Sequence, residues 1–143
     1  MKLVIQRVNK ASVTIENELY SSINKGLLVL FGVEKNDSED TIEYFAQKLL
    51  KLRIFEDEQG KMNKSVLDIE GEILAVSQFT LAADCKKGTR PSFDNAMEPK
   101  RAKEFYEKFV EILKNSQINV KTGVFGAHMQ VELVNNGPVT IIL

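Results

Sequence analysis

The sequence has very few of the side chains on which familiar catalytic sites depend. Its 143 residues include one cysteine, Cys85, one histidine, His128, and no tryptophan. A single cysteine cannot form an internal disulfide, so nothing indicates an oxidising compartment, and a cytoplasmic protein is expected. The chain cannot build a Cys/His zinc site, and a serine triad would have only His128 as its base. We expect neither a metal site nor a cofactor.

Long hydrophobic runs and an excess of charge of one sign are also missing. The longest apolar run, Leu27 to Val33, is far shorter than the roughly 20 residues of a membrane-spanning helix. Residues 1–8 lack the pattern of a secretory signal, so neither export nor a membrane partner is expected. A net charge of -1 excludes general electrostatic attraction to nucleic acid or lipid. The length fits one domain, residues 1–143.

The order of predicted elements is strands, helix, strands, helix, strands. An apolar face at helical spacing predicts helices from Glu39, after an N-cap at Ser38, to about Leu52, and from Pro99 to about Asn115. The remaining periodic segments are extended. The predicted strands are Leu3 to Val8, Ala11 to Ile15, Leu19 to Ile23, Leu27 to Phe31, Arg53 to Phe55, Glu72 to Ala82, Ile118 to Thr122, Met129 to Val134 and Val139 to Leu143. This order predicts an α+β single domain, with a mainly antiparallel, barrel-like sheet and two helices packed on it.

Three polar side chains interrupt the predicted strand from Glu72 to Ala82. If the strand continues, alternation turns Ser77, Phe79 and Leu81 to one face and Gln78 and Thr80 to the other. Both faces then carry a hydroxyl or an amide. A half-exposed edge strand is the simplest interpretation of these residues taken alone.

Two further segments combine turn residues or basic residues. Asn135-Asn136-Gly137-Pro138 predicts a hairpin turn, and an X-Pro bond is the one peptide link for which cis costs only about 0.5–1 kcal/mol.

Residues 83–97 lack any period and predict a long loop. Six basic and three acidic side chains give residues 84–103 a charge of +3. Within it, Lys86, Lys87 and Arg90 are candidate phosphate contacts, although a solvated loop is the simpler interpretation.

Taken together, Ser77-Gln78-Phe79-Thr80-Leu81 and Asn136-Gly137-Pro138-Val139-Thr140 resemble the two signatures of the D-aminoacyl-tRNA deacylases. The resemblance covers the whole chain, and Asn136 stands where many members have an acidic residue. The other matching segments, in chain order, are Ile5-Gln6-Arg7-Val8, Gly26-Leu27-Leu28-Val29, Gly32-Val33-Glu34, Arg53-Ile54-Phe55, Gly60-Lys61-Met62-Asn63 and Arg90-Pro91-Ser92-Phe93.

The resemblance implies a homodimeric hydrolase that cleaves D-amino acids from the 3′ end of tRNA, and glycine from mischarged tRNA(Ala). It implies that the Gly137-Pro138 bond is cis and that this turn enters the partner subunit's pocket beside Ser77, Gln78, Phe79 and Thr80. There the turn would act as a chirality filter. Its backbone carbonyls would receive the α-ammonium of the D form and clash with the side chain of the L form.

The resemblance also implies that backbone N–H groups around Phe79 and Thr80 stabilise the oxyanion. Gln78 would position the carbonyl. Water would be activated with help from the terminal 2′-hydroxyl of the tRNA, and Thr80 as a covalent nucleophile is the competing mechanism. His128 and Cys85 are expected to have no catalytic part. Two other functions stay open at this point: a noncatalytic RNA-binding module, and a general esterase for free D-amino acid esters.

Overall fold

The computed structural model describes residues 1–143 and contains a six-stranded mixed sheet, a small two-stranded sheet and two α-helices. The six-stranded sheet has the order β2-β1-β3-β6-β7, with β8 paired to β1, and it curls into a nearly closed barrel. The elements are β1 (Lys2–Ile15), β2 (Glu18–Ile23), β3 (Gly26–Gly32), α1 (Asp40–Lys51), β4 (Phe55–Glu56), β5 (Met62–Lys64), β6 (Glu72–Ser77), α2 (Pro99–Lys114), β7 (Val120–Thr122) and β8 (Gln130–Ile142).

The strand β1 organises the sheet because three other strands pair with it. It runs antiparallel to β3 over its first half, to β2 over its second half and to β8 along most of its length. The two strands predicted at Leu3 to Val8 and Ala11 to Ile15 are therefore one strand of 14 residues. The polar pair Asn9-Lys10 between them stays extended because β8 supplies backbone partners on both sides of it.

The prediction of a mainly antiparallel sheet holds for β1 but is wrong for the other half of the sheet. There β3 pairs in parallel with β6, and β6 pairs in parallel with β7. Parallel neighbours need a crossover connection, usually a helix. The connection from β3 to β6 contains α1, and that from β6 to β7 contains α2, so the predicted helices are what makes this half of the sheet parallel.

Both helices bury one face against the sheet. The core contains Leu3 and Ile5 of β1 and the inward side chains of α1 and α2, of which Phe109 is 0% exposed. Burying one such side chain stabilises the fold by about 1.5–3 kcal/mol. Tyr106 also donates a hydrogen bond from its hydroxyl to the Ala75 carbonyl at 2.8 Å, which ties α2 to β6. Burial raises the pKa of Tyr106, so its hydroxyl stays protonated.

The helix boundaries agree with the prediction except at the start of α1. The cap residue is Glu39, whose side chain makes no cap hydrogen bond, and Ser38 contributes its carbonyl to the N–H of Thr41 instead. In α2 the predicted position of Pro99 in the first turn is confirmed. Neither helix has the length and hydrophobicity that crossing a lipid bilayer requires.

Candidate active site

The segment Ser77-Gln78-Phe79-Thr80-Leu81 is not a continuation of β6. The strand ends at Ser77, and Phe79–Ala82 form one turn of 3-10 helix, here called the motif turn. The predicted alternation of faces beyond Ser77 is therefore wrong. The N–H of Gln78 makes the last bond to β3, to the Phe31 carbonyl at 2.7 Å. The chain then leaves the sheet, and the N–H of Leu81 bonds back to the Gln78 carbonyl at 3.2 Å.

The motif turn packs directly on the end of β3. A Cβ atom added to Gly32 would lie 2.8 Å from the Leu81 Cβ and 2.9 Å from the Gln78 carbonyl oxygen. Only a residue without a side chain allows this approach. The N–H groups of Phe79 and Thr80 precede the first hydrogen bond within the turn and so have no carbonyl partner inside it.

The polar side chains of the motif turn bind each other. The side-chain amide of Gln78 donates a hydrogen bond to the Thr80 hydroxyl oxygen. Both Phe79 and Thr80 are exposed, and Phe79 lies edge-on to Phe93 with ring centroids 5.1 Å apart. The Thr80 oxygen therefore accepts from an amide, and no carboxylate or imidazole is bonded to it.

A cavity of about 640 Å³ opens beside the motif turn. Its lining is mostly apolar and comes from β6, the loop before α2, the start of α2 and the segment before β8. Ser77, Gln78, Glu98 and His128 are its polar side chains. The apolar side chains include Phe79, Phe93, Met97, Ala102, Phe125 and Met129. An apolar pocket with a few polar groups on one side is the usual form of a small-molecule site.

The charge on the cavity wall belongs to Glu98, the N-cap residue of α2. Its carboxylate accepts hydrogen bonds from the N–H groups of Lys100 and Arg101, at 3.0 and 3.2 Å. These two bonds hold the pKa of Glu98 below its usual value, so the carboxylate stays ionised. His128 is exposed, in line with the absence of a catalytic part expected for it, and it also lines the cavity.

The segment Asn135-Asn136-Gly137-Pro138 does not form the predicted hairpin turn. It lies inside the 13-residue strand β8, where residues 136–139 bulge opposite the single residue Arg7. The Gly137-Pro138 bond is cis, as the resemblance implied, and Gly137 has a φ of 129°. Both Gly137 and Pro138 are exposed.

The buried side chain of Arg7 holds this bulge. It is only 5% exposed, and it donates from Nε to the Asn136 carbonyl at 2.9 Å and from Nη1 to the Ile54 carbonyl at 2.6 Å. The Asn136 side chain also donates to Asn9 Oδ1 at 2.9 Å. Sequence reasoning missed Arg7 as a site residue. The available signal was a charge in register with Leu3 and Ile5, on the face of β1 that enters the core.

Within one chain, the two signature segments are not brought together. Neither Gly137 nor Pro138 lines the cavity beside the motif turn, and no hydrogen bond joins them to it. The bulge instead projects from β8, whose only strand partner is β1. The cavity and the bulge are therefore two separate, exposed features of the same chain.

The candidate phosphate contacts lie in an exposed loop. Asp84 and Ser92 exchange two backbone hydrogen bonds that close its base, at 2.8 and 2.9 Å. Lys86, Lys87 and Arg90 are exposed at its tip and take part in no salt bridge. The prediction of an irregular segment over residues 83–97 is confirmed, and the lining residues Phe93, Ala96 and Met97 show that it also forms one wall of the cavity.

Comparison with known proteins agrees with the resemblance. The family model described as D-Tyr-tRNA(Tyr) deacylase matches residues 4–143. Two curated proteins named D-aminoacyl-tRNA deacylase are similar to the full chain: that of Thermosipho africanus is 56% identical over 96% of its own length, and that of Aquifex aeolicus is 59% identical over 97%.

Two solved structures have the same fold. One is titled c-Myc DNA Unwinding Element Binding Protein, with a TM-score of 0.94 and 47% identity, covering 100% of this chain and 97% of its own. The other is titled as a probable eukaryotic D-amino acid tRNA deacylase, with a TM-score of 0.86 and 16% identity, covering 99% and 97%. On the family match and the identity to full-length relatives, the chain belongs to the D-Tyr-tRNA(Tyr) deacylase family, whose members are hydrolases.

Proposed function

We propose that this protein hydrolyses the ester bond of D-aminoacyl-tRNA, and of glycyl-tRNA mischarged on tRNA(Ala), releasing the free amino acid and tRNA in the cytoplasm. The observation that carries the proposal is the opening of an apolar cavity against the motif turn, in a chain whose family is named for this reaction. The same cavity provides room for an aminoacylated nucleoside, and Phe79 is the residue of the motif turn that lines it.

The proposed chemistry uses main-chain atoms of the motif turn. The N–H groups of Phe79 and Thr80 donate to the oxygen that becomes negative as water attacks the ester carbon. Ser77 and Gln78 border the cavity at the same end and position the carbonyl. A preorganised donor of this kind is worth about 2.7–4 kcal/mol of barrier reduction, by comparison with a deleted oxyanion-hole donor.

The nucleophile is assigned to water, activated with help from the terminal 2′-hydroxyl of the tRNA, rather than to the Thr80 hydroxyl. A nucleophilic hydroxyl needs a base that removes its proton. The Thr80 oxygen instead accepts a hydrogen bond from the Gln78 amide, which lowers its electron density. Since the 2′-hydroxyl is adjacent to the ester, the substrate itself supplies the missing polar group.

The chirality filter is assigned to Gly137 and Pro138 of a second subunit. Both residues are exposed and follow Asn136, whose carbonyl is held by the buried Arg7, yet neither lines the cavity beside the motif turn of its own chain. A homodimer that inserts the bulge into the partner's cavity gives this rigid feature a function. Carbonyls fixed in that way accept the α-ammonium of a D ester and exclude the side chain of an L ester.

The strand β8 offers a surface for such a dimer. It pairs only with β1, so its other edge is unpaired, and its exposed apolar side chains include Val134 at 44% and Ile142 at 72%. Unpaired edges and exposed apolar patches are commonly covered by a partner. The exposed basic loop at Lys86, Lys87 and Arg90 is assigned to the phosphates of the tRNA acceptor end.

The decisive experiment charges one tRNA with D-tyrosine and, separately, with L-tyrosine, and follows the release of each amino acid by the purified protein. Release of D-tyrosine alone is expected. Binding of tRNA without release of either would support an RNA-binding module instead. Equal hydrolysis of free D-tyrosine esters that lack RNA would favour a general esterase.

Action of the bulge across a dimer is tested by mixing two variants. Gln78→Ala damages the motif turn and Gly137→Ala damages the bulge, and each variant alone is expected to lose about tenfold or more of the activity. Refolding them together should restore activity, because a mixed dimer contains one cavity with an intact turn and an intact bulge. A mixture that stays inactive would contradict the assignment to a second subunit.

A further inference from the structure

The motif turn is braced by Lys2, a residue at the start of β1 that does not line the cavity. Lys2 lies directly opposite Gly32 in the antiparallel pair of β1 and β3. Residues directly opposite each other point to the same face of a sheet. The Lys2 side chain therefore emerges on the face on which the missing side chain of Gly32 leaves room for Leu81 and the Gln78 carbonyl.

The ammonium group of Lys2 joins two segments. Its Nζ donates a hydrogen bond to the Leu81 carbonyl, in the motif turn, at 3.2 Å. The same Nζ lies 3.1 Å from Glu34 Oε1, just beyond the end of β3. One charged atom thus links the motif turn to the segment that contains Glu34.

That segment holds the opposite wall of the cavity. Glu34 forms an isolated antiparallel bridge with Ala96, and the N–H of Met97 donates to the Val33 carbonyl at 3.1 Å. Ala96 and Met97 both line the cavity, as do Gln78 and Phe79 of the other wall. Through Glu34, Lys2 therefore ties this wall to the motif turn, alongside the ring contact between Phe79 and Phe93.

We propose that Lys2 is a positioning residue for hydrolysis, which fixes the motif turn against the opposite cavity wall so that its main-chain donors meet the ester. This rests on the proposed function. The Lys2 and Glu34 side chains are 42% and 32% exposed, and an ion pair so accessible to water adds little to global stability. A misplacement of donors, in contrast, slows catalysis strongly. The expected signature is reduced turnover in a chain that remains equally folded.

The test compares Lys2→Met, which keeps the stem and removes both interactions, with Lys2→Arg, which keeps donors for both acceptors. The control is Lys108→Met. It breaks a similarly exposed ion pair, 2.9 Å long, that connects α2 to Glu39 at the start of α1, and neither residue lines the cavity. Each variant is assayed for kcat and KM on D-tyrosyl-tRNA and for its unfolding temperature. The main-chain N–H signals of residues 79–83 are followed by NMR.

Lys2→Met should lower kcat by about tenfold and leave KM within about twofold, since orientation rather than binding is impaired. Its unfolding temperature should match that of Lys108→Met, and Lys2→Arg should recover most of kcat. An unchanged kcat would overturn the proposal, as would a raised KM at constant kcat, which would identify Lys2 as a tRNA contact.

The NMR readout separates the brace from the proposed function. The N–H signals of residues 79–83 should shift and exchange faster with solvent in Lys2→Met, but not in Lys108→Met. If the wild-type protein hydrolyses no D-aminoacyl-tRNA, the proposed function fails while these signals still decide whether Lys2 holds the turn. Unchanged signals in Lys2→Met would overturn the brace itself.

Discussion

Arg7 Nε and the Asn136 carbonyl oxygen are 2.9 Å apart, although the two residues are separated by 129 positions in the sequence. The same guanidinium reaches Ile54, so one buried side chain fixes both the bulge of β8 and the chain entering β4. Arginine suits this task because its planar group offers several donors in a fixed arrangement.

Arg7→Lys should therefore destabilise the protein and weaken its discrimination between D and L esters. Lysine cannot serve both carbonyls with the same geometry, and a buried carbonyl left without a donor costs about 1–3 kcal/mol. Denaturant unfolding and the ratio of D-tyrosyl to L-tyrosyl release measure the two effects. Arg53→Lys, at an exposed position, is the control. A selectivity equal to wild type in Arg7→Lys would show that the bulge needs no such support.

Gly137→Ala should damage the bulge directly. An added Cβ would lie 3.0 Å from Arg7 Nη2 and 3.1 Å from the Val139 nitrogen, at a φ of 129° that residues with a side chain rarely adopt. Such backbone strain costs about 1–3 kcal/mol. Release of D-tyrosine should fall by about tenfold or more, because the carbonyls move.

Gly60→Ala is the control for this change, since Gly60 also has a positive φ, 74°, but has open space around it. It should lose some stability and keep its activity. If both variants hydrolyse D-tyrosyl-tRNA at the wild-type rate, the precise position of the bulge is irrelevant to the reaction.

Thr80→Val tests the choice between the two mechanisms. Under the RNA-assisted mechanism it removes one hydrogen bond with Gln78, so activity should stay within about tenfold of wild type. A tRNA ending in 2′-deoxyadenosine should be inactive with both proteins. Thr80→Ser, which keeps a hydroxyl, is the matched variant. A loss of several orders of magnitude in Thr80→Val, recovered in Thr80→Ser, would instead identify Thr80 as the nucleophile.

Removing positive charge from the basic loop should lower the affinity for tRNA. It should also make that affinity less dependent on salt concentration. Each phosphate that the protein no longer neutralises makes the slope of log K against log salt shallower by roughly 0.7–0.9. Binding of uncharged tRNA by Lys86→Gln/Lys87→Gln should therefore become less sensitive to salt than binding by wild type. Lys51→Gln/Lys61→Gln removes the same charge outside the loop. An equal change in both double variants would indicate a nonspecific effect of net charge.

The lowered pKa of Glu98 predicts how stability depends on pH. A carboxyl whose folded pKa is depressed contributes stability above its unfolded pKa, and this is lost as pH falls through the folded value. The difference in unfolding temperature between wild type and Glu98→Gln should therefore be present at neutral pH and shrink under strongly acidic conditions. Glu104→Gln, on the exposed face of the same helix, should show little difference at either pH. If the difference in unfolding temperature between wild type and Glu98→Gln does not change with pH, the ionised carboxylate does not stabilise the start of α2.

Local patterns were sufficient to predict the helices and most strands. Apolar periodicity and a proline in the first turn, such as Pro99, influence the conformation of residues only a few positions away. They failed where distant contacts decide the conformation. Beyond Ser77 the residues would suit a strand, but the glycine at position 32 lets the chain turn and pack there. Asn136-Gly137 does not form a hairpin turn because β1 pairs with β8 on both sides of it, and because the Arg7 side chain binds the Asn136 carbonyl.

The candidate site was found through the resemblance and not through the residues alone. Ser77, Gln78 and Phe79 do line the cavity, but its other walls come from residues that carry no chemical signature, such as Met97 and Phe125. An apolar side chain in a wall is indistinguishable in a sequence from one in the core. Lys2 could not be identified from the sequence either, because most lysines are exposed and a single one is not distinctive.

The close contact between Gly32 and the motif turn determines which mutations are most harmful. If the reacting ester is stabilised by main-chain N–H groups, only a substitution by proline deletes such a group, and all other substitutions at exposed Phe79 or Thr80 leave it in place. A methyl group at position 32, in contrast, collides with the Gln78 carbonyl at 2.9 Å and displaces the whole turn. The position of this active site that is most sensitive to mutation would then be a glycine that does not contact the substrate.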